Sequence, residues 1–184
     1  MIDQSMAAQS MAAMRYPVGE FYLPDVTTAA ERSRWIQDIT MAPGKLRAAV
    51  AGLDKEQLAT PYRPDGWTAS QVVHHVADSH MNAFIRMRLG ITEVEPTVKP
   101  YDEKMWAEII DTRTAPVELS LTILDSVHKR WVIMMGAMRD IDFNRSIVHP
   151  ENGKMSLDDV LAQYEWHGRH HAAHITALRK RAGW

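Results

Sequence analysis

The stretch YEWHGRHHAAHI, from Tyr164 to Ile175, packs four histidines into eight residues: His167, His170, His171 and His174, out of nine in the chain. Two i, i+4 pairs interleave there, His167/His171 and His170/His174. Residues one helical turn apart share a face, so such a pair of imidazoles can clamp a single ion. Neutral imidazole suits zinc, nickel, copper or ferrous iron, and magnesium or calcium much less. The chain contains no cysteine, which removes disulfides, thiolate nucleophiles, iron–sulfur clusters and Cys-bound zinc. Any metal is then held by imidazole and carboxylate. The competing reading is plain: one HxxxH pair arises by chance on many amphipathic helices, and surface histidines are usually just solvated.

Helical phase separates the two pairs. At about 100° per residue, with His167 at zero, Leu157, Val160, Leu161, Tyr164, Ile175 and Leu178 fall between about 20° and 120° and mark a buried stripe. His171 falls inside that stripe and His167 on its margin, with His174 and His170 successively further out. A metal site needs a third protein ligand, and QVVHHVADSHMN supplies candidates. There Val72, Val76, Ala83 and Met87 form the apolar stripe. His74 points away from it, His75 lies on one margin, and His80 lies towards the other side. Periodicity does not choose between His75 and His80, and slightly favours His80 as the more buried. Asp78 and Glu165 are candidate ligands or partners that orient an imidazole.

Four long helices are expected to position these residues. The first runs from about Thr28 to Leu53, with Pro43 and Gly44 expected to kink it. The second opens on Thr68, three residues before Gln71, a capping box, and runs to about Leu89. The third begins with Thr114 as cap and Pro116 in its first turn, ending near Met138. The fourth opens with Ser156 and Asp159, another capping-box pair, and ends at Gly183 as C-cap. Between the second and third, DEKMWAEII is a possible helix, and SIVHPENGKMS is at most a small hairpin. Two long connections and scarce strand signal favour an all-α four-helix bundle.

Composition bounds the partners. The chain has 184 residues, a formal net charge of −2 and 46% apolar residues. That fits one domain with its own core: residues 15–184, preceded by a flexible tail over 1–14. Near charge balance speaks against nucleic acid and against an anionic membrane surface. No apolar run approaches the roughly 20 residues that span a bilayer, and MIDQSMAAQSMAAM is unlike a secretory signal. A cytoplasmic location is expected. The twelve methionines are dispersed, which reads as adaptable packing and not a copper site. His128 is read as a packing residue facing the interior or Arg130, His149 as the start of a turn, and Tyr101 with Trp106 as lining the mouth of the site.

The blocks GWTASQVVHHVADSHMN, KPYDEKMW, HPENG and YEWHGRHHAAHI together resemble the DinB superfamily, in particular its YfiT-like branch, over most of the chain from Arg15 to Trp184. The resemblance implies a four-helix bundle with one divalent metal, zinc or else nickel, held by three histidines. Carried over motif by motif, the ligands fall on His75, His167 and His171. It further implies a metal-dependent hydrolase acting on a small molecule, and a homodimer. An open coordination position would make hydroxide available at a water whose pKa falls to about 7. Asp78, Glu165 or one of His74, His80, His170 and His174 would serve as general base. Relatives in the wider superfamily suggest a second activity, thiol S-transfer with bacillithiol or mycothiol. A third possibility is a metal-binding stress-response module without turnover.

Overall fold

The computed structural model describes residues 11–184, and the expected tail over residues 1–14 lies largely outside them. The helices are α1 (Ala29–Val50), α2 (Lys55–Leu58), α3 (Ala69–Thr92), α4 (Glu103–Ala107), α5 (Ile110–Thr114), α6 (Val117–Gly136), α7 (Asp140–Phe143) and α8 (Leu157–Ala182), with a hairpin, β1 (Ser146–His149) and β2 (Gly153–Ser156), before α8. A helical turn over residues 11–15 precedes them.

Helix boundaries follow local chemistry. Thr28, Thr68 and Ser156 each cap a helix through reciprocal bonds with Glu31, Gln71 and Asp159, which satisfies two otherwise orphaned amides at each N-terminus. Gly183, at φ +77°, closes α8 in the left-handed conformation open to glycine. The third long helix departs from expectation. Thr114 ends α5, and Pro116 occupies the cap position of α6 without any side-chain bond. Proline's fixed φ still favours that start. Helix α1 continues through Pro43 without a break.

Helix α1 packs on α6 and α8, and α3 packs on the same two. Helices α1 and α3 therefore face each other across the diagonal. The core divides into two apolar clusters. One joins Ile39, Met87, Trp131, Met135, Ile147 and Leu161; the other joins Leu46, Val72, Val76, Leu124, Ile175 and Leu178. On α6 and α8 the histidines fall between the segments that feed these clusters, as His80 does on α3, while His74 and His75 interrupt the α3 segment of the second cluster. A polar belt thus crosses an apolar bundle.

The hairpin pairs Ser146 with Ser156 and His149 with Gly153, and Pro96–Val98 bonds its free edge through Val98 N–H to the Val148 carbonyl at 3.0 Å. Gly90 permits the approach of α8 and the hairpin: a Cβ there would lie 2.7 Å from Leu157 Cδ2 and 3.1 Å from Ile147 Cγ2. Arg32 clamps the start of α8, donating from Nε and Nη2 to the two Asp158 carboxylate oxygens at 2.7 Å each. Among the described residues, no helix is long and apolar enough to cross a membrane.

Candidate metal centre

His75 on α3 and His167 and His171 on α8 bring one ring nitrogen each to a common point, all within 4.8 Å of one another. His75 Nε2 and His167 Nε2 are 3.1 Å apart. Two nitrogens bound to a tetrahedral zinc at roughly 2.0–2.1 Å lie about 3.3 Å apart, so the donor set fits such an ion with little movement. Burial depresses the pKa of all three, that of His75 to about 4 and those of His167 and His171 well below the ordinary imidazole value. Each is therefore neutral at pH 7, as a metal ligand must be. Trp67 packs against His75 with ring centroids 4.6 Å apart.

A cavity of about 170 Å³ opens beside His167, lined among others by Ser79, Arg86, Tyr101, His149, Gln163 and Tyr164. Arg86 donates to the Lys99 carbonyl at 3.0 Å, which ties it to the α3–α4 connection. Burial pushes the Tyr101 hydroxyl up to about 12, against a hydrogen bond with Ser79. It therefore stays protonated and can donate into the cavity. Trp106 packs on the Tyr101 ring, centroids 4.3 Å apart, supporting it and not lining the cavity itself. Periodicity gave no signal for Arg86, because its role depends on a loop folding back over α3.

The remaining histidines are buried, and all but His170, whose buried Nδ1 has no hydrogen-bond partner among the described residues, are hydrogen-bonded. His80, fully buried, places Nε2 3.1 Å from His167 Nδ1 and Nδ1 2.8 Å from His128 Nε2. It stands behind His167, which explains why burial alone favoured it over His75. His128 reaches the interior, with Nδ1 2.6 Å from the Ile39 carbonyl. His74 bridges Ser120 Oγ and the Ala115 carbonyl at 2.8 and 3.2 Å, joining α3 to the start of α6.

His170 and His174 are 7% and 2% exposed, so they are not a solvated helix edge. The segment before α1 covers them: His174 Nε2 lies 3.1 Å from the Arg15 carbonyl, and Tyr16 packs near His170. A helical wheel knows nothing of a covering segment. Asp78 is half-buried, its carboxyl pushed up to about 6 by desolvation and by Asp111. Glu165 pairs with Arg169, one turn along α8, and both line a different hollow, beside Trp35 and Trp166.

With this geometry in hand, comparison places the protein among known ones. The sequence pattern of the DinB superfamily matches residues 38–175. Proteins of Bacillus mycoides strain KBAB4 and Bacillus cereus strain B4264 are 48% and 49% identical over 174 residues, covering 95% of this chain and all of theirs. Their names assign them a metal-dependent hydrolase activity. YfiT from Bacillus subtilis, described as having an unusual four-helix bundle topology and the same kind of activity, matches at TM-score 0.91 and 43% identity. That match covers 94% of this chain and 99% of YfiT. The chain belongs to the DinB superfamily.

Proposed function

We propose that the protein is a metal-dependent hydrolase whose divalent ion is held by His75, His167 and His171. The convergence of three neutral imidazole nitrogens within 4.8 Å, beside a cavity, carries this reading. The names and descriptions of the relatives point the same way. Zinc fits an all-nitrogen set that leaves a position for water, with nickel the alternative. A bound ion supplies a Lewis acid and a water of lowered pKa.

The chain's own residues do the rest. Tyr101 O–H and Arg86 offer donors to a polar substrate oxygen in the cavity. Asp78, three residues from His75 on the same helix, is a half-buried carboxyl pushed up to about 6, in the range a general base requires. Burial also raises the carboxyl of Glu103, which lines the cavity itself. Glu165, held by Arg169, is the weaker candidate for that role. A small-molecule substrate, a homodimer and a cytoplasmic location belong to the same proposal.

Elemental analysis after expression with zinc tests the site: about one equivalent per chain is expected for a three-histidine centre. His171→Ala should abolish binding and His170→Ala should preserve it; equal loss in both would refute this ligand set. Turnover is tested with chromogenic esters and amides. Conjugation of an electrophile to bacillithiol, without hydrolysis, would replace the hydrolase reading by thiol transfer. Bound metal with neither activity would leave a binding module.

A further inference from the structure

The buried histidines behind the candidate ligands form two chains, and each ends on a backbone carbonyl. In the first, Ile39 C=O lies 2.6 Å from His128 Nδ1, His128 Nε2 lies 2.8 Å from His80 Nδ1, and His80 Nε2 lies 3.1 Å from His167 Nδ1. In the second, Arg15 C=O lies 3.1 Å from His174 Nε2, and His174 Nδ1 lies 3.4 Å from His171 Nδ1. Ile39, His80, His128 and His167 belong to α1, α3, α6 and α8, so the first chain threads all four long helices.

A carbonyl only accepts, and a neutral imidazole carries one N–H and one lone pair. That fixes the direction of every bond. His128 Nδ1–H donates to Ile39, so His128 Nε2 accepts from His80 Nδ1–H. His80 Nε2 then accepts from His167 Nδ1–H. His167 Nε2 is left as a lone pair facing His75. By the same logic His174 Nε2–H donates to Arg15, its Nδ1 accepts from His171 Nδ1–H, and His171 Nε2 keeps its lone pair.

The first anchor is written into the sequence. In an α-helix the Ile39 carbonyl would accept from the amide of residue 43, but that residue is Pro43, inside α1 and buried, which has no N–H. Proline thus frees the acceptor that His128 uses. Among the described hydrogen bonds His75 has no carbonyl anchor: its Nε2 lies 3.1 Å from the His167 Nε2 lone pair. In the metal-free chain it therefore donates from Nε2–H, and it is the ligand that must move its proton to Nδ1 when an ion binds.

We propose that His128, His80 and His174 are positioning residues: two carbonyl-anchored imidazole relays lock His167 and His171 in the Nδ1–H tautomer, so both present Nε2 lone pairs to one ion. This rests on the three-histidine reading of the site, but its first test does not need a metal. In metal-free protein labelled with 15N-histidine, long-range 1H–15N correlation spectra report the tautomer of each ring. The expected pattern is Nδ1–H for His128, His80, His167 and His171, and Nε2–H for His174. An Nε2–H tautomer at His167 or His171 overturns the proposal.

The second test is zinc affinity, measured by competition with a chelating dye. His80→Leu removes the acceptor and should weaken zinc roughly 10–100-fold, the usual effect of losing an outer partner of a ligand. His80→Gln, whose Oε1 sits where Nε2 was, should stay close to the wild type. Equal losses in the two, with circular dichroism showing both folded, overturn the proposal. If His80→Leu does not fold, the tautomer spectrum of the wild type decides alone. Wild-type protein with the expected tautomers but no zinc binding would sink the metal reading and leave the relays standing.

Discussion

His128 offers a quantitative check on the buried belt. It is 1% exposed, and burial holds its pKa at about 4, partly offset by its bond to the Ile39 carbonyl and by Asp125 on its own helix. From α3 it meets His80, and Trp131 packs edge-on against its ring, centroids 5.9 Å apart. The unfolded imidazole titrates near 6.5. Between those values the unfolded chain takes up a proton that the fold refuses. Stability from this group is therefore complete above pH ~6.5 and is lost as pH falls towards 4. From pH 7 to pH 5 the loss spans about 1.5 units at 1.36 kcal/mol each, or ~2 kcal/mol from one ring. All nine histidines have lowered values and push in the same direction. Half-buried Asp78, raised to about 6, opposes them. The assay is urea unfolding of chelator-treated protein at pH 7 and pH 5, for the wild type and for His128→Asn. The variant keeps a donor for Ile39 and does not titrate. The wild type should lose ~2 kcal/mol more than the variant over that interval. Equal losses would mean that this imidazole is not held neutral by burial.

Arg32→Met would strand Asp158 as an unpaired buried carboxylate, and should cost about 3–5 kcal/mol in urea unfolding. A loss below ~1 kcal/mol would mean that the pair is solvated like a surface bridge. Gly90→Ala should cost ~1–3 kcal/mol, since its Cβ would meet Leu157 at 2.7 Å and Ile147 at 3.1 Å. Gly44→Ala, in α1 with nothing within 4 Å of the new Cβ, should gain ~0.5–1 kcal/mol; thermal melts of the pair check the contrast. Pro43→Ala returns an amide that competes with His128 for the Ile39 carbonyl. It should leave the thermal midpoint unchanged or higher while weakening zinc binding, and unaltered binding would show that the carbonyl serves both donors.

What the sequence disclosed depends on how far each signal reaches along the chain. Thr68 with Gln71 and Ser156 with Asp159 announce their helices because a capping box is closed within three residues. The phase of His167 and His171 on α8 was legible for the same reason. The start of α6 was not, because both Thr114 and Pro116 fit a helix start and only the packing of α5 chooses between them. The choice between His75 and His80 is a question about α8, not α3: both are buried, and they differ in which nitrogen of His167 they face.

The burial of His170 and His174 depends on residues 15 and 16, more than 150 positions away in the chain, as the 159-residue separation of the His174–Arg15 bond shows. Pro43 is the instructive middle case. The sequence alone states that the Ile39 carbonyl loses its helical partner, a local fact as firm as any cap. It does not state who takes the vacancy, because His128 arrives from α6. Read as a helix breaker, Pro43 predicts a kink; read as a missing donor, it predicts a buried acceptor that some distant N–H must satisfy. The second reading is the one that leads from the backbone of α1 to the nitrogen of His167, and it follows from counting hydrogen bonds instead of propensities.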